Sequence, residues 1–158
     1  MKDIRVAAVV CRSPVGKSVE NLERMRKWAR AAARRQAAVV CFPELNITGY
    51  TTRPEIAAVA EPVPGPATAR VLEIAAESGA VLLAGLAERA GDGRVYASHL
   101  AAFPDGRLAV YRKLHIAVPE QPVFSPGADI PLFETAGVTF GIQLCYDAHF
   151  PELCAHMA

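Results

Sequence analysis

Three residues in this sequence carry reactive groups and share one placement. Glu44 follows the apolar run Ala37 to Phe42 (AAVVCF), Lys113 follows the β-rich run Leu108 to Arg112, and Cys145 follows Val138 to Leu144. Each therefore lies just past a strand-like segment. In α/β architectures ligands bind in the crevice outside the carboxyl ends of strands, so a carboxylate, an ammonium and a thiol placed this way can converge on one pocket. The trio is sufficient for acyl transfer: a thiol nucleophile, a carboxylate to take its proton and a fixed cation for the developing oxyanion. A strand running into Cys145-Tyr146-Asp147 and then a helix sets the sulfur on a sharp turn near backbone N–H groups, where the thiolate is favoured. Taken singly, a Glu or a Lys at a strand end is an ordinary solvated group. The inference comes from the combination.

The elements that must position these groups follow from periodicity. Ile4 to Cys11 reads as a strand, and Ser18 opens a helix whose apolar positions Leu22, Met25, Ala29 and Ala32 recur at helical spacing. With Ala37 to Phe42 as a strand covered on both faces, a β-α-β unit opens the fold. Pro43 to Pro66 is irregular, punctuated by Gly49, Pro54, Pro62 and Pro64, and is longer than a simple connection requires. Ala67 to Ser78 reads as a helix closed by Gly79, and Ala80 to Glu88 as a third strand. Val95 to Phe103 and Leu108 to Arg112 are joined by Pro104-Asp105-Gly106, the signature of an antiparallel hairpin. After a proline-punctuated stretch, Val138 to Leu144 reads as one more strand and Phe150 onward as helical. The implied class is α/β, a mixed sheet with helices on its outside.

Composition bounds the function classes. The chain has 158 residues, 52% of them hydrophobic, with 17 Lys and Arg against 16 Asp and Glu for a formal charge of +1. A chain of this length buries about two-thirds of its unfolded surface, so its core requires no metal or disulfide. Near-neutrality argues against a nucleic-acid partner. The basic residues crowding the first helix, Arg24, Arg26, Lys27, Arg30, Arg34 and Arg35, read as a solvated face. No run of about 18 apolar residues and no leader pattern occurs, so the expectation is a cytoplasmic protein without a membrane partner. The four cysteines, Cys11, Cys41, Cys145 and Cys154, show no CxxC spacing and are expected as free thiols, Cys11 and Cys41 as core fillers. Cys145, His149, Cys154 and His156 match no common zinc spacing, and a Cys145–His149 dyad explains less of the sequence than Glu44 does. His99 reads as a strand residue and His115 as a loop residue, neither needing a catalytic role.

The segments FPELNITGY (42–50), YRKLHIAVPEQPVFSPG (111–127) and GIQLCYDAHFPEL (141–153) resemble, in order, the three signature regions of the nitrilase/amidase superfamily, the carbon-nitrogen hydrolases. The spacing is family-like too, with Lys113 69 residues after Glu44 and Cys145 32 residues after Lys113. The resemblance implies a four-layer α-β-β-α sandwich and a triad of Glu44 as general base, Lys113 as oxyanion stabiliser and Cys145 as nucleophile. It further implies that Glu120 positions the lysine or substrate and that the backbone N–H of Tyr146 is a second oxyanion donor. Hydrolysis of an amide or N-carbamoyl small molecule through a cysteine thioester, without cofactor or metal, in a homodimer or larger homo-oligomer, is what such an enzyme would do. The Tyr146-Asp147 pair resembles amidases and carbamoylases more than nitrilases, which often have Trp-Glu there. Two departures stand out. His149 occupies a position where many relatives carry Arg, and His cannot form a bidentate fork. Family members also continue well beyond the nucleophile, so 1–158 reads as a single carbon-nitrogen hydrolase domain, incomplete at its C-terminus and truncated after the nucleophile elbow. The competing readings are an inactive truncated member acting as a binding module and a nitrilase acting on nitriles.

Overall fold

A computed structural model describes residues 3–158. Alternation along each strand sorts side chains onto two faces of a five-stranded mixed sheet, and each face is covered differently. The sheet contains β1 (Val6–Ala8), β2 (Val39–Cys41), β3 (Val81–Arg89), β4 (Val95–Ala102) and β5 (Leu108–Arg112), in that spatial order. β1, β2 and β3 run parallel, as a β-α-β unit requires, and β3, β4 and β5 are antiparallel. Helices α1 (Ser18–Ala33) and α2 (Pro66–Ser78) pack on one face, where Leu82, Ala84, Leu86 and Leu100 meet Met25, Ala29, Val71 and Ile74. On the other face Val81, Leu83, Phe103 and Tyr111 meet Phe133 from a second, two-stranded sheet of β6 (Phe133–Thr135) and β7 (Val138–Phe140), and Ile142 and Leu144 from the segment that follows it. β3 is buried along its length up to Arg89 because it is covered on both sides. The result is a helix layer, a mixed sheet and a second sheet, the α-β-β portion of the expected sandwich, followed by the short α3 (Pro151–Met157). Among the described residues no helix is long and apolar enough to cross a membrane.

Most expected elements are present, with three differences that have physical causes. The first strand is only Val6–Ala8, because it pairs on one side alone, with β2. Cys11 consequently lies beyond the strand, half-buried with its Sγ 3.8 Å from Ser13 Oγ, and is no core filler. The strand expected over Val138 to Leu144 is paired only to Phe140, and its partner β6 arises within the proline-punctuated stretch. Ala136 and Gly137 join the two with φ of 53° and 76°, a primed hairpin turn that usually announces itself with Asn-Gly. The long irregular segment carries a 3₁₀ helix at Pro54–Val59. Gly79 ends α2 in the left-handed conformation as expected, with φ 67°.

Candidate active site

Lys113 emerges from the end of β5 fully buried, with its backbone tied on both sides: its N–H donates to Ala97 O (2.9 Å) and its carbonyl accepts from Gly127 N (2.8 Å). Gly127 lies so close to the Arg112 carbonyl that any Cβ there would collide with it. The Lys113 Nζ donates to Glu44 Oε1 (2.9 Å) and to both oxygens of Glu120 (3.0 and 2.9 Å). A buried ammonium is tolerated only when paired, and here two carboxylates pair it. They raise its pKa although burial, the largest single influence, acts to lower it. Glu120 is itself buried and fixed by the Ala117 N–H (3.1 Å) and the Tyr50 hydroxyl (2.9 Å). That contact contributes, after burial, to pushing the Tyr50 phenol up to about 12.

Glu44 is placed by a segment that runs alongside β3 as an irregular continuation of the sheet. Phe42 N donates to Leu83 O (2.8 Å) and Ile47 N to Gly85 O (2.9 Å). The side chains of Asn46 and Thr48 then accept from the Gly85 and Ala87 N–H groups, each at 2.9 Å, where a regular strand would offer carbonyls. Gly85 is needed because a Cβ at that position would run into the Leu45 backbone. The Glu44 carboxyl is held above the usual carboxylate range, chiefly by burial, with Lys113 acting in the opposite direction.

Cys145 is exposed and adopts φ 44°, a left-handed conformation uncommon for a residue with a side chain, at the start of a 3₁₀ turn over Cys145–His149. The turn is pinned by Asp147, which is completely buried. Asp147 Oδ2 accepts from Tyr111 Oη (2.7 Å) and Leu144 N (3.1 Å), and Oδ1 accepts from His115 N (2.9 Å) and lies 2.9 Å from His115 Nδ1. The His115 ring in turn stacks on Phe150 with centroids 3.6 Å apart. These partners were not singled out from the sequence, and the signal that could have found them is the carboxylate two residues after Cys145. Tyr146 and His149 are exposed, their rings 5.3 Å apart.

Glu44 and Cys145 line one cavity of about 420 Å³, together with Phe42, Leu144, His99 and Gln143. Glu44, Lys113 and Glu120 are thus joined by direct hydrogen bonds, and Glu44 shares a cavity wall with Cys145. A larger groove, about 740 Å³, runs along the free edge of β1 past Val6, Val9 and Trp28 and includes none of these groups. Among the described residues no group of three or more His, Cys, Asp or Glu is arranged to hold a metal ion.

A family model for carbon-nitrogen hydrolases matches residues 5–158. The chain is 36% identical to an omega-amidase NIT2 of Xenopus tropicalis over 85% of this chain and 52% of that protein. It is 31% identical to a nitrilase of Pyrococcus abyssi over 98% of this chain and 60% of that protein. In structure it superposes with a TM-score of 0.84 on a CN-hydrolase superfamily protein of Xanthomonas campestris that carries an arsenic adduct in its active site, at 28% identity, covering 98% of this chain and 57% of that one. The chain therefore spans between about half and three-fifths of the length of these relatives.

Proposed function

The chain belongs to the carbon-nitrogen hydrolase family, and on that premise we propose that it carries the catalytic centre of an amidase in which Cys145, Glu44 and Lys113 perform the chemistry. The observation that supports this most is the buried Lys113 ammonium, held between Glu44 and Glu120, on a scaffold that also puts Glu44 and Cys145 on one cavity. Cys145 Sγ attacks the carbonyl carbon of an amide or N-carbamoyl substrate while its proton passes to Glu44. A carboxyl held above its usual range is the better base for this transfer near neutral pH. Lys113 and the Tyr146 N–H stabilise the oxyanion. On collapse the C–N bond breaks, Glu44 returns the proton to the leaving ammonia or amine, and a thioester remains. Water then attacks the thioester carbonyl with Glu44 again accepting a proton, and Cys145 is regenerated as the acid product leaves. Glu120 keeps Lys113 charged and fixed, and Asp147 holds the turn on which Cys145 sits. No cofactor takes part.

The preference for amides over nitriles rests on Tyr146-Asp147. The free thiols fit a reducing, cytoplasmic setting. We further propose that the described residues are part of a single hydrolase domain, incomplete at its C-terminus, that works in a homo-oligomer, with the open β1 edge and exposed Val6, Val10 and Trp28 covered in the working enzyme. The test, made on the full-length protein, is ammonia release from matched amide, ureido and nitrile series, alongside acid-quenched mass spectrometry for an acyl adduct on Cys145. Release from amides, lost in Cys145→Ala, is expected. Release that survives this substitution, or faster release from nitriles, would overturn the reading.

A further inference from the structure

We propose that Glu88 and Arg112 are positioning residues: their ion pair ties the end of β5 to the end of β3 and so sets the Lys113 ammonium against Glu44. The inference rests on Lys113 serving as the oxyanion cation and goes on to say what holds it in place.

Glu88 is a carboxylate on an otherwise apolar face. Strand alternation puts it on the helix-covered side of β3 with Leu82, Ala84 and Leu86, and it is 1% exposed. Three hydrogen bonds reach it from the next two strands. Ser98 Oγ of β4 donates to Oε2 (2.6 Å), Arg112 Nε of β5 donates to the same oxygen (2.9 Å), and Arg112 Nη2 donates to Oε1. The guanidinium also lies over the Tyr96 ring, 4.5 Å from its centroid, and Tyr96 stands directly opposite Glu88 in the β3–β4 ladder.

A planar fork bonded at two oxygens and stacked on a ring is held in one geometry. Stability alone does not call for such a pair, since apolar side chains of like volume in place of a buried ion pair often leave a protein as stable or more so. What the pair supplies is a fixed spacing between two strands that β4 keeps apart.

Those two strands carry the reacting groups. β3 seats the Glu44 segment, with the Asn46 and Thr48 side chains on the Gly85 and Ala87 N–H groups, the latter next to Glu88. β5 delivers Lys113 in the residue after Arg112, and β5 is the outermost strand of its sheet, paired with β4 alone. The end of such a strand opens readily unless side chains hold it. Here consecutive residues hold it from opposite faces: Tyr111 donates to Asp147 of the Cys145 turn (2.7 Å), and Arg112 donates to Glu88. The first contact links the lysine strand to the thiol and the second links it to the strand that seats the carboxylate. Without the second, β5 is free to tilt about Tyr111, and the 2.9 Å contact of Lys113 Nζ with Glu44 Oε1 lengthens.

The test makes Glu88→Gln and Arg112→Lys in the full-length protein, each also combined with Lys113→Met, and uses the amide of the series above that releases ammonia fastest. Glu88→Gln keeps the shape and exchanges one acceptor for a donor, and Arg112→Lys keeps the charge and loses the fork. Each single variant is expected to melt cooperatively and to lose roughly tenfold or more in kcat, with KM within about twofold of the parent. The acid limb of the kcat profile should also move to higher pH, because Lys113 lowers the Glu44 pKa and a more distant ammonium lowers it less, while Glu120 and Asp147 still raise it. In the Lys113→Met background neither substitution should lower kcat by more than about twofold further, since no ammonium is left to position. Unchanged kcat and acid limb in the folded single variants, or the same fractional loss with and without Lys113, overturns the proposal and leaves Lys113 as the oxyanion cation. If Glu88→Gln does not fold, Arg112→Lys at the half-exposed partner decides on the same terms. A Lys113→Met variant as active as the parent, or no release from any amide, overturns the underlying assignment instead.

Discussion

Replacing Asp147 with Asn tests whether the Cys145 turn is held by charge or merely by shape. The substitution is nearly isosteric, yet the carboxylate accepts at two oxygens, each facing a backbone N–H: His115 N on Oδ1 and Leu144 N on Oδ2. Whichever way the new amide lies, its NH₂ must face one of them. The better orientation keeps the oxygen toward His115 and turns the nitrogen toward Tyr111, whose hydroxyl can rotate to accept. Leu144 N, immediately before Cys145, is then left without an acceptor in a buried setting. Losing a hydrogen bond to a charged group costs about 1.5–3 kcal/mol and an orphaned buried donor about 1–3 kcal/mol, with overlap between the two, so roughly 2–4 kcal/mol is expected in all. For a chain of this size that lowers the melting midpoint by roughly 5–15 °C. The released turn also loses the constraint on the left-handed Cys145 backbone, so iodoacetamide labelling of Cys145 slows or loses its selectivity over Cys154. Denaturant titration and peptide mapping read both. A variant within about 1 kcal/mol of the parent, with unchanged labelling, would show that packing rather than the carboxylate holds the turn.

Lys113→Met should cost roughly a hundred-fold or more in kcat, and it removes the group that lowers the Glu44 pKa, so the acid limb of the rate profile should move to higher pH. A limb that stays in place would mean that Glu44 is not the base. Gly85→Ala drives a methyl group into the Leu45 backbone, which cannot yield as a flexible side chain would, and should destabilise by roughly 1–3 kcal/mol in urea titrations; a neutral result would show that the 42–49 segment is free to move. Buried His99 has its pKa lowered from 6.5 to about 4, so between those values the unfolded chain binds the proton and the folded one does not. Stability is then fully present above about pH 6.5 and falls by roughly 3 kcal/mol as pH drops to about 4. Melts at stepped pH should show this loss, reduced in His99→Leu, and equal pH slopes for the two proteins would refute it.

The sequence carried the positions of the reactive groups because strand ends are written in apolar runs, and Glu44, Lys113 and Cys145 each follow one. The hairpin of β4 and β5 and the Gly79 cap were legible for the same reason, since Pro104-Asp105-Gly106 and a helix-ending glycine declare local backbone geometry. The β6–β7 pair was not, because Ala136 takes a positive φ that alanine does not advertise and the prolines nearby read as loop. The contacts of Asp147 were equally hidden. Tyr111 and His115 lie 36 and 32 residues away from it, and only the packing of the second sheet against the first brings them there. His99 read as an ordinary strand residue because its environment depends on what faces it, and sequence periodicity reports only which face it occupies. Gln143 had no signal beyond being polar in an apolar run.

The segment from Phe42 to Gly49 is a loop by its dihedral angles alone. With Asn46 and Thr48 side chains standing in for strand carbonyls against Gly85 and Ala87, its amide protons belong to the hydrogen-bond ladder of a strand buried on both faces. Hydrogen exchange at Ile47, Gly85 and Ala87 should therefore proceed only through wide opening of the sheet, at a rate shared with central β3 rather than with surface turns. The evolutionary tolerance of this segment follows the same division. Surface connections accept insertions readily, but one added residue between Pro43 and Thr48 would slip both side-chain acceptors off their amides at once. An inserted residue should therefore be better tolerated in the stretch after Tyr50, and it is there that an engineer could extend the site without disturbing the carboxylate.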